Sequence, residues 1–153
     1  ALGFADVIRS LSGDGRGAVA AIVKFLGDRA YKRGNKERSR DLNHVIALVY
    51  DTADAWNNRA YLCRETGKFA DALSAYRRAL EKEPTSPQLH NDTGVILHYH
   101  LPNEVNLAEA KRLYERAIEL ADKVQADSTA SATQRAQASQ AKSDALANLQ
   151  AMR

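Results

Sequence analysis

Apolar residues recur at helical spacing along most of the chain. Val19, Ile22, Val23, Phe25, Leu26 and Ala30 form one set, and Leu42, Val45, Ile46 and Val49 form the next. The clusters of Val, Ile and Thr that would mark strands are missing, so helices are predicted throughout. A short helix is predicted over Leu2 to Leu11, ended by Ser12-Gly13-Asp14-Gly15. The run Gly13-Asp14-Gly15-Arg16-Gly17 lacks the Lys and the preceding strand of a phosphate loop, and reads as a flexible hinge. From Gln125 to Arg153 the larger apolar residues are only Leu146, Leu149 and Met152. Alanine richness there predicts a long terminal helix from about Thr129.

Two stretches share one layout. In the first, Trp56, Ala60, Gly67, Phe69, Ala72, Tyr76, Ala79 and Pro84 fall at spacings that give two helices joined by a tight turn. Small residues at positions 60, 72 and 79 let paired helices approach closely, while Trp56, Tyr76 and Leu80 fill the layer between neighbours. Gly67 permits a left-handed turn, and Pro84 ends the second helix. The second stretch begins at Pro87. Gly94 answers to Ala60, and Ala110, Tyr114, Ala117 and Ile118 repeat the spacing of Ala72, Tyr76, Ala79 and Leu80. The gap between its helices is four residues longer, near His100-Leu101-Pro102-Asn103, and His90 stands where the first stretch has its aromatic.

These residues resemble the tetratricopeptide repeat (TPR) family, with Arg59 in place of the usual Leu. Upstream, Leu26-Gly27 and Gly34 echo the family's Leu-Gly pair and turn glycine. The resemblance implies an all-α, right-handed α-solenoid of about three helix-turn-helix hairpins with a C-terminal capping helix. Its expected divisions are a lead-in over 1–16, a degenerate repeat over 17–52, a repeat over 53–86, a repeat with an extended turn over 87–124, and an Ala-rich capping helix over 125–153.

Composition agrees with helix and removes several alternatives. The chain has 153 residues, 44% hydrophobic, with 27 alanines and an aromatic share of only 7%. One cysteine allows no internal disulfide, and no Cys/His spacing suits zinc, so packing must hold the fold. No apolar run approaches the ~18 residues of a membrane span. The start at Ala1-Leu2-Gly3 has neither an initiator Met nor the layout of a signal peptide, which reads as a fragment or processed product in the cytoplasm. The net charge of +3 is uneven. Residues 1–40 hold nine Lys/Arg against four Asp/Glu, and residues 41–153 hold thirteen against fifteen.

The resemblance also implies a function: a non-catalytic scaffold whose first helices line a concave groove for a peptide or partner helix. Carried over by position, that groove comprises Lys24, Asp28 and Tyr31 in the degenerate repeat, with Ala21 and Lys32 beside them. The middle repeat supplies Asn57, Asn58, Tyr61 and Arg64, flanked by Asp54 and Glu65. The last supplies Gln88, Asn91, Val95 and His98, flanked by Asp92 and Tyr99. Amides pair with a peptide backbone, Tyr offers apolar area at low entropic cost, and Lys or Arg takes carboxylates. A clamp for the C-terminal carboxylate of chaperones is disfavoured. Lys24 and Asn58 fit two of its places, but Asp28 replaces an Asn, and Gln88 and Asp92 stand where cations are needed.

Other chemistries fare worse. The stretch from Arg29 to Arg40 holds six cations and one anion, an alternative anionic-surface or nucleic-acid site. One Tyr and no stacking platform make nucleic acid the weaker reading. His90, His98 and His100 do not share a helix face, since residues eight apart lie ~80° off each other and two apart lie ~200° off. No metal and no cofactor are expected. Cys63 takes a position the family fills with a buried residue and is read as a core thiol. The chain is therefore not expected to be an enzyme, although it could be the regulatory part of a larger one. Association of two copies through the solenoid edges stays open.

Overall fold

The computed structural model describes residues 3–153, so Ala1 and the expected helical start at Leu2 lie outside the described residues. Those residues form eight α-helices and no strand: α1 (Phe4–Ser10), α2 (Gly13–Lys32), α3 (Lys36–Tyr50), α4 (Ala53–Glu65), α5 (Phe69–Lys82), α6 (Pro87–Val95), α7 (Glu104–Ala126) and α8 (Ala132–Ala151). A π-helical turn, Ile96–His100, prolongs α6. None of these helices is long and apolar enough to cross a membrane. The helices gather into two compact units that divide within α5, one up to Ala79 and one from Leu80 on.

In the first unit α2 and α3 form a hairpin. The seam of α2 is Ala20, Val23, Gly27 and Ala30. At Gly27 a Cβ would lie 3.2 Å from the Asn43 amide and 3.6 Å from Leu42 Cβ, so α3 approaches closely here and a larger residue would make the Asn43 side chain shift. The short α1 buries Ala5 and Ile8 against this pair. The glycine run does not form a hinge. Gly13 through Gly17 belong to α2, and the Arg16 N–H bonds the Ser12 carbonyl at 2.8 Å. Asp14 in the first turn complements the helix dipole, and glycine costs least where backbone bonds are still few.

The turns after α2 and α4 are closed in the same way. Gly34 and Gly67 take left-handed φ values of 78° and 72°. After α2, the N–H groups of Asn35 and Gly34 bond the carbonyls of Ala30 and Tyr31, both at 2.9 Å. After α4, those of Lys68 and Gly67 bond Cys63 and Arg64 at 2.8 and 3.1 Å. This is the Schellman pattern, which satisfies the carbonyls left open at a helix end. Trp56 is buried in α4, and its indole N–H donates to Asp51 Oδ1 at 2.8 Å. Asp51 ends α3 at a left-handed φ of 50°, a conformation Asp tolerates better than most residues. Cys63 is fully buried, and burial pushes its thiol up, as suits a core residue.

The second unit uses a different turn. The four extra residues are partly absorbed into helix: the Leu101 N–H reaches back five residues to Ile96 O at 3.0 Å. Asn103 then caps α7 by accepting from the Asn106 N–H at 2.9 Å, and the Asn106 amide donates to Leu101 O at 2.7 Å. Ile96, Leu97, Tyr114 and Ala117 are fully buried. Residue 94 must be glycine here, because a Cβ would sit 2.7 Å from the Tyr114 ring.

The terminal helix begins three residues later than expected, at Ala132. Ser131 and Gln134 form a reciprocal capping box that fixes the start there, with bonds of 2.8 and 3.1 Å. The helix packs on α7 and α6 through Ala138, Ala141 and Ala145, a small-residue seam one helical face wide.

Candidate interaction groove

Within the first unit α2 and α4 are the walls of a groove of about 380 Å³, and α3, with Leu62 of α4, makes its floor. Lys24, Asp28 and Tyr31 recur every three or four residues along one face of α2, and Asn58 and Tyr61 do so on α4. Buried Ile46 and Leu62 give the floor an apolar centre, with Ser39 and Asn43 beside it. Five expected residues, Lys24, Asp28, Tyr31, Asn58 and Tyr61, thus border one groove, together with Lys32.

The polar groups fall into those already paired and those left open. Lys24 Nζ donates to Asp28 Oδ2 at 2.9 Å, an exposed pair one turn apart on α2 that puts a negative charge beside this cation. The hydroxyls of Tyr31 and Tyr61 lie 3.3 Å apart across the groove. That contact, helped by burial, pushes the Tyr61 hydroxyl up. The Arg64 guanidinium stacks over the Tyr61 ring, 5.3 Å from its centre. Lys36 donates to Glu65 Oε2 at 2.7 Å; the bond pushes the lysine up and the carboxyl down. By contrast, the side chains of Asn58 and Lys32 are exposed and bond no other described residue. An amide with free donors and acceptors, a free ammonium and a tyrosine pair over an apolar floor can hold an extended backbone with one apolar side chain and a nearby carboxylate.

The remaining expected residues are not in this groove. Asn57 is half-buried beside it, and Arg64 is engaged on Tyr61. In the second unit Gln88 is exposed and borders a separate polar cavity of about 310 Å³ with Glu83, Asp127 and Thr129. Asn91 corrects the expectation most clearly. It is 5% exposed, and its Oδ1 accepts from the Asn148 amide of α8 at 3.1 Å, so the terminal helix covers it. Val95 is half-buried. His98 is half-buried too, 3.3 Å from the Tyr114 hydroxyl and stacked on Tyr99 at 4.0 Å; burial pushes its imidazole down. His90 bonds Ser86 O at 2.8 Å.

Sequence reasoning overlooked the floor residues Ser39, Asn43, Ile46 and Leu62. A signal was present: Ser39 and Asn43 are polar at a four-residue spacing beside the apolar Leu42 and Ile46. Of the basic stretch, Lys36 and Arg40 are spent on internal partners, Arg40 on Asp41 at 2.9 Å and Thr66 at 3.3 Å.

Residues 53–86 match the family model described as tetratricopeptide repeat. No curated protein sequence matches the chain significantly. Solved structures do. PcrH in complex with the chaperone-binding region of PopD aligns at 18% identity over 94% of this chain and 95% of that one, with a TM-score of 0.68. The CopN–Scc3 complex aligns at 19% identity over 96% and 76%, with a TM-score of 0.67. The first TPR of Spaghetti (RPAP3), bound to an HSP90 peptide, aligns at 23% identity over 81% and 93%, with a TM-score of 0.57. At these identities the likeness is one of fold.

Proposed function

Because residues 53–86 are a tetratricopeptide repeat and the chain has the all-helical fold of such arrays, we propose a non-catalytic adaptor that holds a peptide or partner helix between α2 and α4. The observation that carries this reading is the groove itself: Asn58 and Lys32 stand unengaged above the apolar floor of Ile46 and Leu62. PcrH and the RPAP3 repeat are each captured with a partner segment, which favours a binding role for a chain of the same fold. The groove suits a free C-terminal carboxylate held by a lysine clamp poorly, since Asp28 sets a charge like its own beside Lys24. An internal stretch of peptide, with an apolar side chain over Ile46 and Leu62 and an acidic one towards Lys32, fits better.

Selection of short peptides from a display library on the wild-type chain, followed by affinity measurement, tests this. Asn58→Ala and Tyr61→Ala should each weaken the selected peptides roughly tenfold, about 1.4 kcal/mol. Peptides that bind both variants as tightly as wild type would remove the groove from consideration.

A further inference from the structure

A second flank of α2 has its own pattern: Ile22 and Leu26 lie roughly 150° or more around the helix from the mean direction of Lys24, Asp28 and Tyr31, and Phe25 stands between the two flanks, about 20° from Lys32. Ile22 and Phe25 are 58% and 61% exposed there, and Leu26 is 37% exposed. Large apolar side chains on one strip of a helix otherwise docked through Ala20, Val23, Gly27 and Ala30 mark a second contact surface. One turn further along the same strip come Arg29 and Arg33, and Arg38 of α3 joins them. With Leu26, Ala30 and Asn35 these arginines border a cavity of about 410 Å³. None of the three guanidinium groups has a carboxylate partner among the described residues.

From this arrangement we infer that the outer face of α2 docks an amphipathic helix of a partner protein, apolar along one half of its docking face and acidic along the other. Charge complementarity sets the partner's chemistry, and the order of features sets its register. Apolar anchors pack on Ile22, Phe25 and Leu26, and carboxylates enter the arginine-lined cavity, where Arg can bind them in a bidentate fork. A membrane surface fits less well, because cations flank an interfacial helix along its length, whereas here they gather at one end around a concavity. Nucleic acid would use the arginines and leave the aliphatic Ile22 and Leu26 without a partner.

The probe is a labelled synthetic helical peptide with Leu in two adjacent turns of one face and Glu on the same face in the next two turns, titrated onto the full chain by fluorescence anisotropy. It should bind, and a version with Lys for Glu should bind roughly tenfold or more weakly. Phe25→Ala and Arg33→Glu should each cost roughly tenfold, while Val105→Ala, which trims a still more exposed apolar side chain on α7, should change nothing. The substituted residues are exposed, so circular dichroism should show all three variants folded. No binding, or binding indifferent to Phe25→Ala and Arg33→Glu, overturns the proposal. So does tighter binding of heparin or phosphatidylserine vesicles than of the peptide, which would assign the face to nucleic acid or membrane. Self-association abolished by Phe25→Ala would assign it to a second copy and overturn it equally.

Discussion

Aligned on Ala60 and Gly94, α4 and α6 carry the same positions in different surroundings: Trp56 answers to His90, Asn57 to Asn91, and Arg64 to His98. On α4 the neighbouring Asn58 and Tyr61 are exposed, while Trp56 is buried. Asn58 and Tyr61 border a groove, and the helix ends in a glycine turn. On α6 the face lies under α8, Asn91 is bonded to Asn148, and the helix runs on into a π turn. One register therefore gives two outcomes, according to whether another helix covers it. A repeat position identifies which way a side chain points; what it meets there depends on the next element of the chain.

The largest expected effect tests the aromatic member of the first pair. Trp56 is 7% exposed, bonds Asp51 and contacts the His44 ring edge-on at 6.3 Å. Trp56→Ala should cost about 3–5 kcal/mol on urea titration. A loss under about 1 kcal/mol would show that α4 is not anchored as its register requires. Next is Gly94→Ala, which would make α6 more like α4 in sequence. The added methyl meets the fully buried Tyr114 ring, so the expected loss is about 1–3 kcal/mol, although alanine favours helix intrinsically. If the variant is as stable as wild type, α6 and α7 can separate without cost, and the close approach is not what fixes glycine there.

Legibility followed the physics of each feature. Gly34 and Gly67 could be read in advance because a left-handed turn admits few residues besides glycine. Gly94 was legible as a small position, but that alanine would be too large followed only from where the Tyr114 ring lies. The π turn was not legible, since four extra residues can enter a loop or a helix at similar cost and the sequence pattern is the same for both. Nor was the covering of Asn91. Alpha8 docks through Ala138, Ala141 and Ala145, and alanine is as common on exposed helical faces as in close-packed seams. The groove walls could be placed by register, whereas most of its floor, Ser39, Asn43 and Ile46, comes from α3, where the repeat pattern is faint.

The smallest effect belongs to pH, and it separates the two hairpins because the second has histidines where the first has Trp56 and Arg64. His90 and His98 are half-buried, and burial pushes both imidazoles below their ordinary value near 6.5. A depressed folded value means that the unfolded chain takes up the proton first. Stability from these two sites is thus fully present above pH 6.5 and declines as the pH falls through that value toward the folded ones. His44 shifts in the same direction for the same first cause, desolvation, so these three sites should together lower stability as the pH falls from about 6.5 toward 5. His90→Gln should flatten that slope in urea melts followed at several pH values, and His44→Gln should flatten it independently, since the two sites belong to different units. A slope unchanged by His90→Gln would mean that His90 is solvated enough to titrate as it does in the unfolded chain, and the contrast with the buried indole of Trp56 would then be one of shape alone.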